Sequence, residues 1–371
     1  MLRSESSGPR ARLAGVALAG AVGVLAALLV AAGNPGNMGV CGACFLRDAA
    51  GAMKLFAGGP AYLRPELVGV VGGALVAALA TRRFGARSGG FAAGRFALGI
   101  VMGIAAIVFL GCPFRMLQRL GGGDLNAWLA LPGFVAGVFV GTLFERRGYS
   151  PGKTSPAPAA VGLVAPALAI GLLALFLVGG VLAGPGPGDA AAKPPHAPWA
   201  LALGIALVAG VILGATGFCA VSATRQLLAR GPKSMLAAAG ALVAGYALAA
   251  AIGGRLHVSF AGQPFAHSDW LWNVVALGLL GLTGALAGGC PVRQLVMAGE
   301  GNGDALVCVA GIALGGALAH NWALVSVPAG PDAPGGSTPG GHIALGLGWA
   351  FAILWALAIT RALAPKHPPS N

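Results

Sequence analysis

Cysteine is the residue in this chain best suited to chemistry on a soft atom, and its spacing is regular. Cys112 opens the run Cys112-Pro113-Phe114-Arg115, and Cys290 opens Cys290-Pro291-Val292-Arg293, 178 residues later. Cys41 and Cys219 are separated by the same 178 residues, as are Arg47 and Arg225 just beyond them. Pro113 and Pro291 suit the first position of a helix, where a missing N–H costs little. Cys112 and Cys290 then become N-caps at the positive end of a helix, a place that favours anions. Arg115 and Arg293, three residues on, add a guanidinium that can fork onto an oxyanion. The same field keeps a thiol polarisable. Cys41, Cys112, Cys219, Cys290, Arg47, Arg115, Arg225 and Arg293 are therefore candidate substrate-binding residues. Cys44 joins them without support from the repeat, because Ser222 occupies its equivalent position. Cys308 reads as a small buried residue.

Cys41-Gly42-Ala43-Cys44 also carries a rival chemistry, since C-x-x-C can cycle between dithiol and disulfide. The alternative function is accordingly a membrane thiol–disulfide oxidoreductase working through Cys41 and Cys44. A zinc site would need two further ligands, and no second C-x-x-C or closely spaced histidine pair supplies them. All ten acidic residues read as lying in loops, turns or helix ends. No paired carboxylates present themselves for acid–base work, and no residue for coupling to a proton or sodium gradient is visible. A non-enzymatic protein with no cofactor and no metal is expected.

The elements that must position these residues are apolar helices. Of 371 residues, 57% are hydrophobic and 9% charged, with 64 Gly and 25 Pro. About 20 apolar residues cross a bilayer core of about 30 Å. Ten segments qualify, at 12–32, 63–81, 95–111, 126–144, 161–183, 199–217, 234–252, 271–289, 304–325 and 341–363. The first follows Arg3, Arg10 and Arg12 but exceeds the length of a usual signal core, so it is read as a retained helix. Cys41–Gly51, Cys112–Gly121, Cys219–Gly231 and Cys290–Gly299 are too short to span and read as re-entrant half-helices. A Pro/Gly-rich linker from Gly184 to Pro198 divides the chain into two five-helix repeats, 1–184 and 185–371. An odd number of spans per repeat forces the second copy to insert upside down. The expected fold is an all-α polytopic membrane protein of about ten helices and four half-helices, in two inverted repeats with an hourglass shape.

The formal charge of +13 follows the same topology. With the N-terminus inside, 16 basic residues fall on the cytoplasmic side and 7 on the other, the bias that orients membrane proteins. The charge marks orientation in a lipid bilayer, with both termini cytoplasmic, and not nucleic-acid binding.

The run Asn34-Pro35-Gly36-Asn37-Met38-Gly39-Val40-Cys41-Gly42-Ala43-Cys44-Phe45-Leu46-Arg47-Asp48, with the two Gly-Cys-Pro-x-Arg turns and Gly217-Phe218-Cys219, resembles the YeeE/YedE sulfur-transport family. The first run is most similar to the YedE branch associated with selenium metabolism. The resemblance spans about residues 34–325. It implies a bacterial inner-membrane carrier that takes up thiosulfate or a related sulfur or selenium anion. It also implies passage between central cysteines through S–H···S contacts, roles that fall on Cys112 and Cys290, with Cys41 or Cys219 at the mouth. A small TusA-like sulfur-carrier protein is the partner it implies on the cytoplasmic side.

Overall fold

The computed structural model describes residues 8–152, 154–189, 193–330 and 335–363. Arg3, Glu5, Lys153, Asp332, Lys366 and His367, which enter the charge and ligand readings above, lie outside them. Fourteen helices follow one another among the described residues: α1 (Pro9–Ala31), α2 (Gly42–Ala52), α3 (Pro65–Ala80), α4 (Ala92–Val108), α5 (Pro113–Gly121), α6 (Leu125–Arg146), α7 (Ala159–Val178), α8 (Trp199–Thr216), α9 (Ala220–Leu228), α10 (Ser234–Ile252), α11 (Trp270–Ala287), α12 (Pro291–Gly299), α13 (Gly303–Asn321) and α14 (Pro339–Leu363).

Nine helical stretches among the described residues are long and apolar enough to cross a membrane. Three of them join a long helix to the short one after it: α4 with α5, α8 with α9, and α11 with α12. The segment expected at 63–81 forms α3, a shorter apolar helix of 16 residues. At 1.5 Å per residue α3 rises about 24 Å, less than the bilayer core, because Pro65 fixes its start and Thr81 follows its last residue. The chain is a polytopic, helical membrane protein. Among the described residues, two three-residue strands, β1 (Arg87–Gly89) and β2 (Thr154–Pro156), pair antiparallel as a small ribbon.

The main helix pairs join the two halves of the chain: α1 with α10, α3 with α8, α4 with α13 and α6 with α11. Glycine makes these approaches possible, as small residues do wherever helices pack in lipid. A Cβ on Gly99 of α4 would sit 2.4 Å from the Cys308 carbonyl of α13, and one on Gly137 of α6 would sit 1.8 Å from the Gly278 carbonyl of α11.

The loops sort onto two faces. On the first, the turn after α5 hydrogen-bonds the 253–269 loop (His257 N to Gly122 O, Ser259 N to Gly123 O), and Asn34 receives the Ala197 amide. On the second, the β1 segment bonds the turn after α12 (Arg87 N to Gly301 O), and Arg225 meets Glu145. Helix α1 ends at the first face, while α14 begins there beside Leu324 and carries Trp355 to Gly94 near the second. The start of α1 and the end of α14 thus share one face.

Candidate functional site: four half-helices converging on a thiol cluster

The four short helices begin where the sequence placed them, and each takes a cysteine as N-cap. Cys41 caps α2, Cys112 caps α5, Cys219 caps α9 and Cys290 caps α12, all with extended backbone. Shifting α5 (Pro113–Gly121) by 178 residues lands on α12 (Pro291–Gly299) residue for residue. The half-helices run outward from the middle of the bundle. Helix α5 ends at the first face, by His257, and α12 ends at the second, by Arg87. Their N-termini therefore turn inward, and at 9 to 11 residues each covers about 13 to 16 Å.

At that middle the thiols meet. The Cys41 Sγ lies 3.5 Å from the Cys112 Sγ and accepts the Cys44 amide at 3.4 Å. A disulfide would bring sulfurs to about 2.05 Å, so this is a thiol contact, and all six cysteines are free and buried. Cys219 and Cys290 form the corresponding pair in the second half, and Cys112 lies within electrostatic range of Cys290. Gly42 seals the junction: a Cβ there would sit 2.7 Å from the Pro291 carbonyl carbon and the Val292 nitrogen, so α2 and α12 touch first turn to first turn. Phe114 packs edge-on against Phe218 at 5.9 Å beside them. The resemblance gives Cys41 or Cys219 a place at the mouth. Here both sit with Cys112 and Cys290 at the centre, because each half-helix starts there. Cys308 lies in α13, where its carbonyl faces Gly99.

The arginines are all engaged. Arg47 chelates its neighbour Asp48 through Nε and Nη2 at 2.8 and 2.6 Å. Arg225 reaches Glu145 at 2.5 Å and the Ala285 carbonyl at 3.0 Å. Arg293 forks onto Glu300 at 3.0 and 3.2 Å. Arg115 differs from these three. It is 1% exposed and donates to the carbonyls of Asn37 at 3.0 Å, Gly36 and Pro264 at 3.3 Å each, and Leu110. No carboxylate among the described residues lies within 4.0 Å of it, although the other three arginines each have one. A buried cation satisfied only by neutral dipoles is costly, and an anion is what would balance it.

Several residues of this centre carry no mark in the sequence. Gln118 accepts the amides of Gly39 at 2.9 Å and Val40 at 3.2 Å and donates back to the Val40 carbonyl, which fixes the approach to Cys41. Gln294 holds the approach to Cys290 by donation alone, to the carbonyls of Ala287 at 3.1 Å and Gly289 at 3.4 Å. The two glutamines do not share the 178-residue offset, so the signal that found the cysteines misses them. Asp48 also binds Arg64 at 2.8 Å, and Arg64 reaches the Pro195 carbonyl at 3.0 Å. Arg119 and Asp124 pair at 2.6 Å in full burial. Asp48 is thus in the middle of α2 and not in a loop, a correction to the reading of the acids. Glu66 is buried at the start of α3, held by Asn34 at 2.6 Å.

A histidine closes the collar on the first face. His267 is 1% exposed, and its Nε2 lies 2.9 Å from the Val108 carbonyl, to which Ser326 also donates at 2.7 Å. Burial, with Arg119 nearby, holds the imidazole pKa below its ordinary value. The neutral ring therefore donates from Nε2.

No known family model matches this chain, and no characterised protein does so either.

Proposed function

We propose that this protein is an inner-membrane carrier for a small anion with a soft sulfur or selenium atom, of the YeeE/YedE kind, with thiosulfate as the leading substrate. The observation that carries this reading is the 3.5 Å contact between Cys41 and Cys112 at the first turns of two half-helices, beside the uncompensated cation of Arg115. Helix N-termini and a buried guanidinium attract the oxyanion end of such a substrate. Thiols in a dry constriction offer the other end weak S–H contacts that oxygen ligands do not match. The anion enters from the first face, passes from Cys41 and Cys112 to Cys290 and Cys219, and leaves at the second.

Interchanging the halves maps each main helix pair onto another, α1·α10 onto α8·α3 and α4·α13 onto α11·α6, which supports two inverted repeats narrowing to an hourglass waist. The 16-to-7 division of basic residues supports a cytoplasmic second face, both termini included, where a TusA-like carrier protein would receive the sulfur.

Uptake of radiolabelled thiosulfate into proteoliposomes tests this. Wild type should accumulate label and Cys112→Ala should not, at equal protein content. Undiminished uptake by Cys112→Ala would show that the thiol cluster is structural.

A further inference from the structure

A cavity of about 390 Å³ opens on the first face between α1, α10 and the 253–269 loop. Asn37, Tyr246, Arg255, His257, Gln263 and Pro264 are among its lining residues, with no carboxylate and no sulfur in the lining. Arg255 stands exposed at its rim. The lining residues Gly36, Asn37 and Pro264 are the same ones whose carbonyls hold Arg115, so the guanidinium lies directly behind the cavity wall. Two of those bonds, to Gly36 and Pro264, are 3.3 Å, beyond the usual range for N–H···O. Asn37 is held with φ 53° by the Tyr246 hydroxyl, which donates to Oδ1 at 3.2 Å.

Gln263 braces the loop that walls the cavity. It is 2% exposed, its Nε2 serves the carbonyls of His257 and Ser259, and its Oε1 has no partner among the described residues. The cavity itself, roomy and lined by Asn37, Tyr246, Arg255 and His257, is large and polar enough to hold several waters, which makes it an aqueous chamber. A hydrated anion fits it. Nothing in the lining can read a soft atom.

We propose that this cavity is the outer reception site for the anion, that it selects by charge alone, and that Arg115 is the partition through which the anion passes to the thiols. The inference rests on the carrier reading and divides its selectivity into two steps. Arg255 and the field of Arg115 gather any small divalent oxyanion. Arg115 then exchanges its two long carbonyl bonds for the anion, and only a substrate with a soft atom proceeds between Cys41 and Cys112.

The experiment places a bimane fluorophore on Ala249→Cys, a lining position, the six native thiols being buried; Val30→Cys serves if that variant does not assemble. Purified protein is titrated with sodium thiosulfate, sodium sulfate and, as an ionic-strength control, sodium chloride. Thiosulfate and sulfate should both shift the fluorescence saturably, with midpoints within about threefold, and chloride should not. Cys112→Ala should keep the shift. Arg255→Ala should raise both midpoints about fivefold, the scale of an exposed charge. Arg115→Gln should still show a saturable shift, with both midpoints raised alike, while uptake stops. A sulfate midpoint more than about tenfold above that of thiosulfate would place selection in the cavity and overturn the proposal. So would wild-type uptake without any shift, or wild-type uptake by Arg115→Gln. Absence of thiosulfate uptake by the wild type would instead sink the carrier reading itself, and this inference with it.

Discussion

The Sγ atoms of Cys41 and Cys112, separated by 71 residues of chain, lie 3.5 Å apart, each at the N-cap of its own half-helix. Three helices, α2, α3 and α4, and the loops between them are closed to make that one contact. A buried thiol packs much as a small apolar residue does, so replacement by alanine separates the chemistry of the sulfur from its packing.

That comparison gives the first expected outcome. Cys41→Ala and Cys112→Ala should each abolish thiosulfate uptake while shifting the apparent Tm in detergent by no more than Cys308→Ala does, about 1 kcal/mol or less of lost burial. Cys308→Ala, in α13, should transport normally. Loss of folded protein in the first two variants but not the third would assign the cluster a packing role.

Asp48 is the keystone of the buried charges, since it alone binds both Arg47 and Arg64. Asp48→Ala leaves two buried guanidinium groups without a counter-charge, a loss of about 3–5 kcal/mol. Asp48→Asn should recover part of that by keeping the acceptor oxygen. Thermal unfolding in detergent checks the order, and an apparent Tm for Asp48→Ala within about 2 °C of wild type would contradict it.

On the second face the ion pairs are more open. Arg225 and Glu145 keep 13% and 29% of their side-chain surface, so the pair contributes only about 1 kcal/mol or less. The pair ties the last turn of α9 to the end of α6, beside the Arg225 bond to the Ala285 carbonyl, and α9 ends in an extended turn with Leu227 exposed. Glu145→Gln should leave stability nearly unchanged yet speed the alkylation of Cys219 by N-ethylmaleimide several-fold, as α9 loosens. Equal alkylation rates would mean that the latch lies elsewhere.

Acid should weaken the collar on the first face. The imidazole of His267 is held below its ordinary pKa in the fold, so the unfolded chain binds a proton first as pH falls. Its contribution is therefore complete above about pH 6.5 and declines below that value. Between pH 7.5 and 5.5 the apparent Tm of the wild type should drop more steeply than that of His267→Asn. Parallel curves would remove His267 from the account.

Much of this architecture is legible because two signals in it are strong. Apolar run length gives the long helices, and the 178-residue offset gives the four half-helices together with their cysteine caps. The offset also misleads, since it treats Arg115 and Arg293 as equals. In the fold, Arg293 has Glu300 seven residues away, whereas Arg115 takes carbonyls from three separate segments. Long-range polar partners such as Asp48 with Arg64, or Gln118 with Gly39, follow from where loops fold back into the bundle. Neither hydropathy nor repeat spacing encodes that. The helix expected at 63–81 is present as α3, and only its length, cut to 16 residues from Pro65 onward, falls short of a full span.

Gly42, pressed against the backbone of Pro291 and Val292, has a consequence for the direction of work. It lets the positive ends of α2 and α12 abut, and the capping thiols of α5 and α9 bring two more such ends to the same place. Like ends so arranged repel, and packing with neutral hydrogen bonds such as those of Gln118 and Gln294 holds them together. In the proposed carrier, an anion in transit relieves that repulsion and becomes for a moment the counter-charge of the scaffold itself. Capture is then the downhill half of the cycle, and letting go is the uphill half. Exchange of internal for external thiosulfate should accordingly outpace net uptake, and a carrier that runs both at one rate would not be working against its own helix ends.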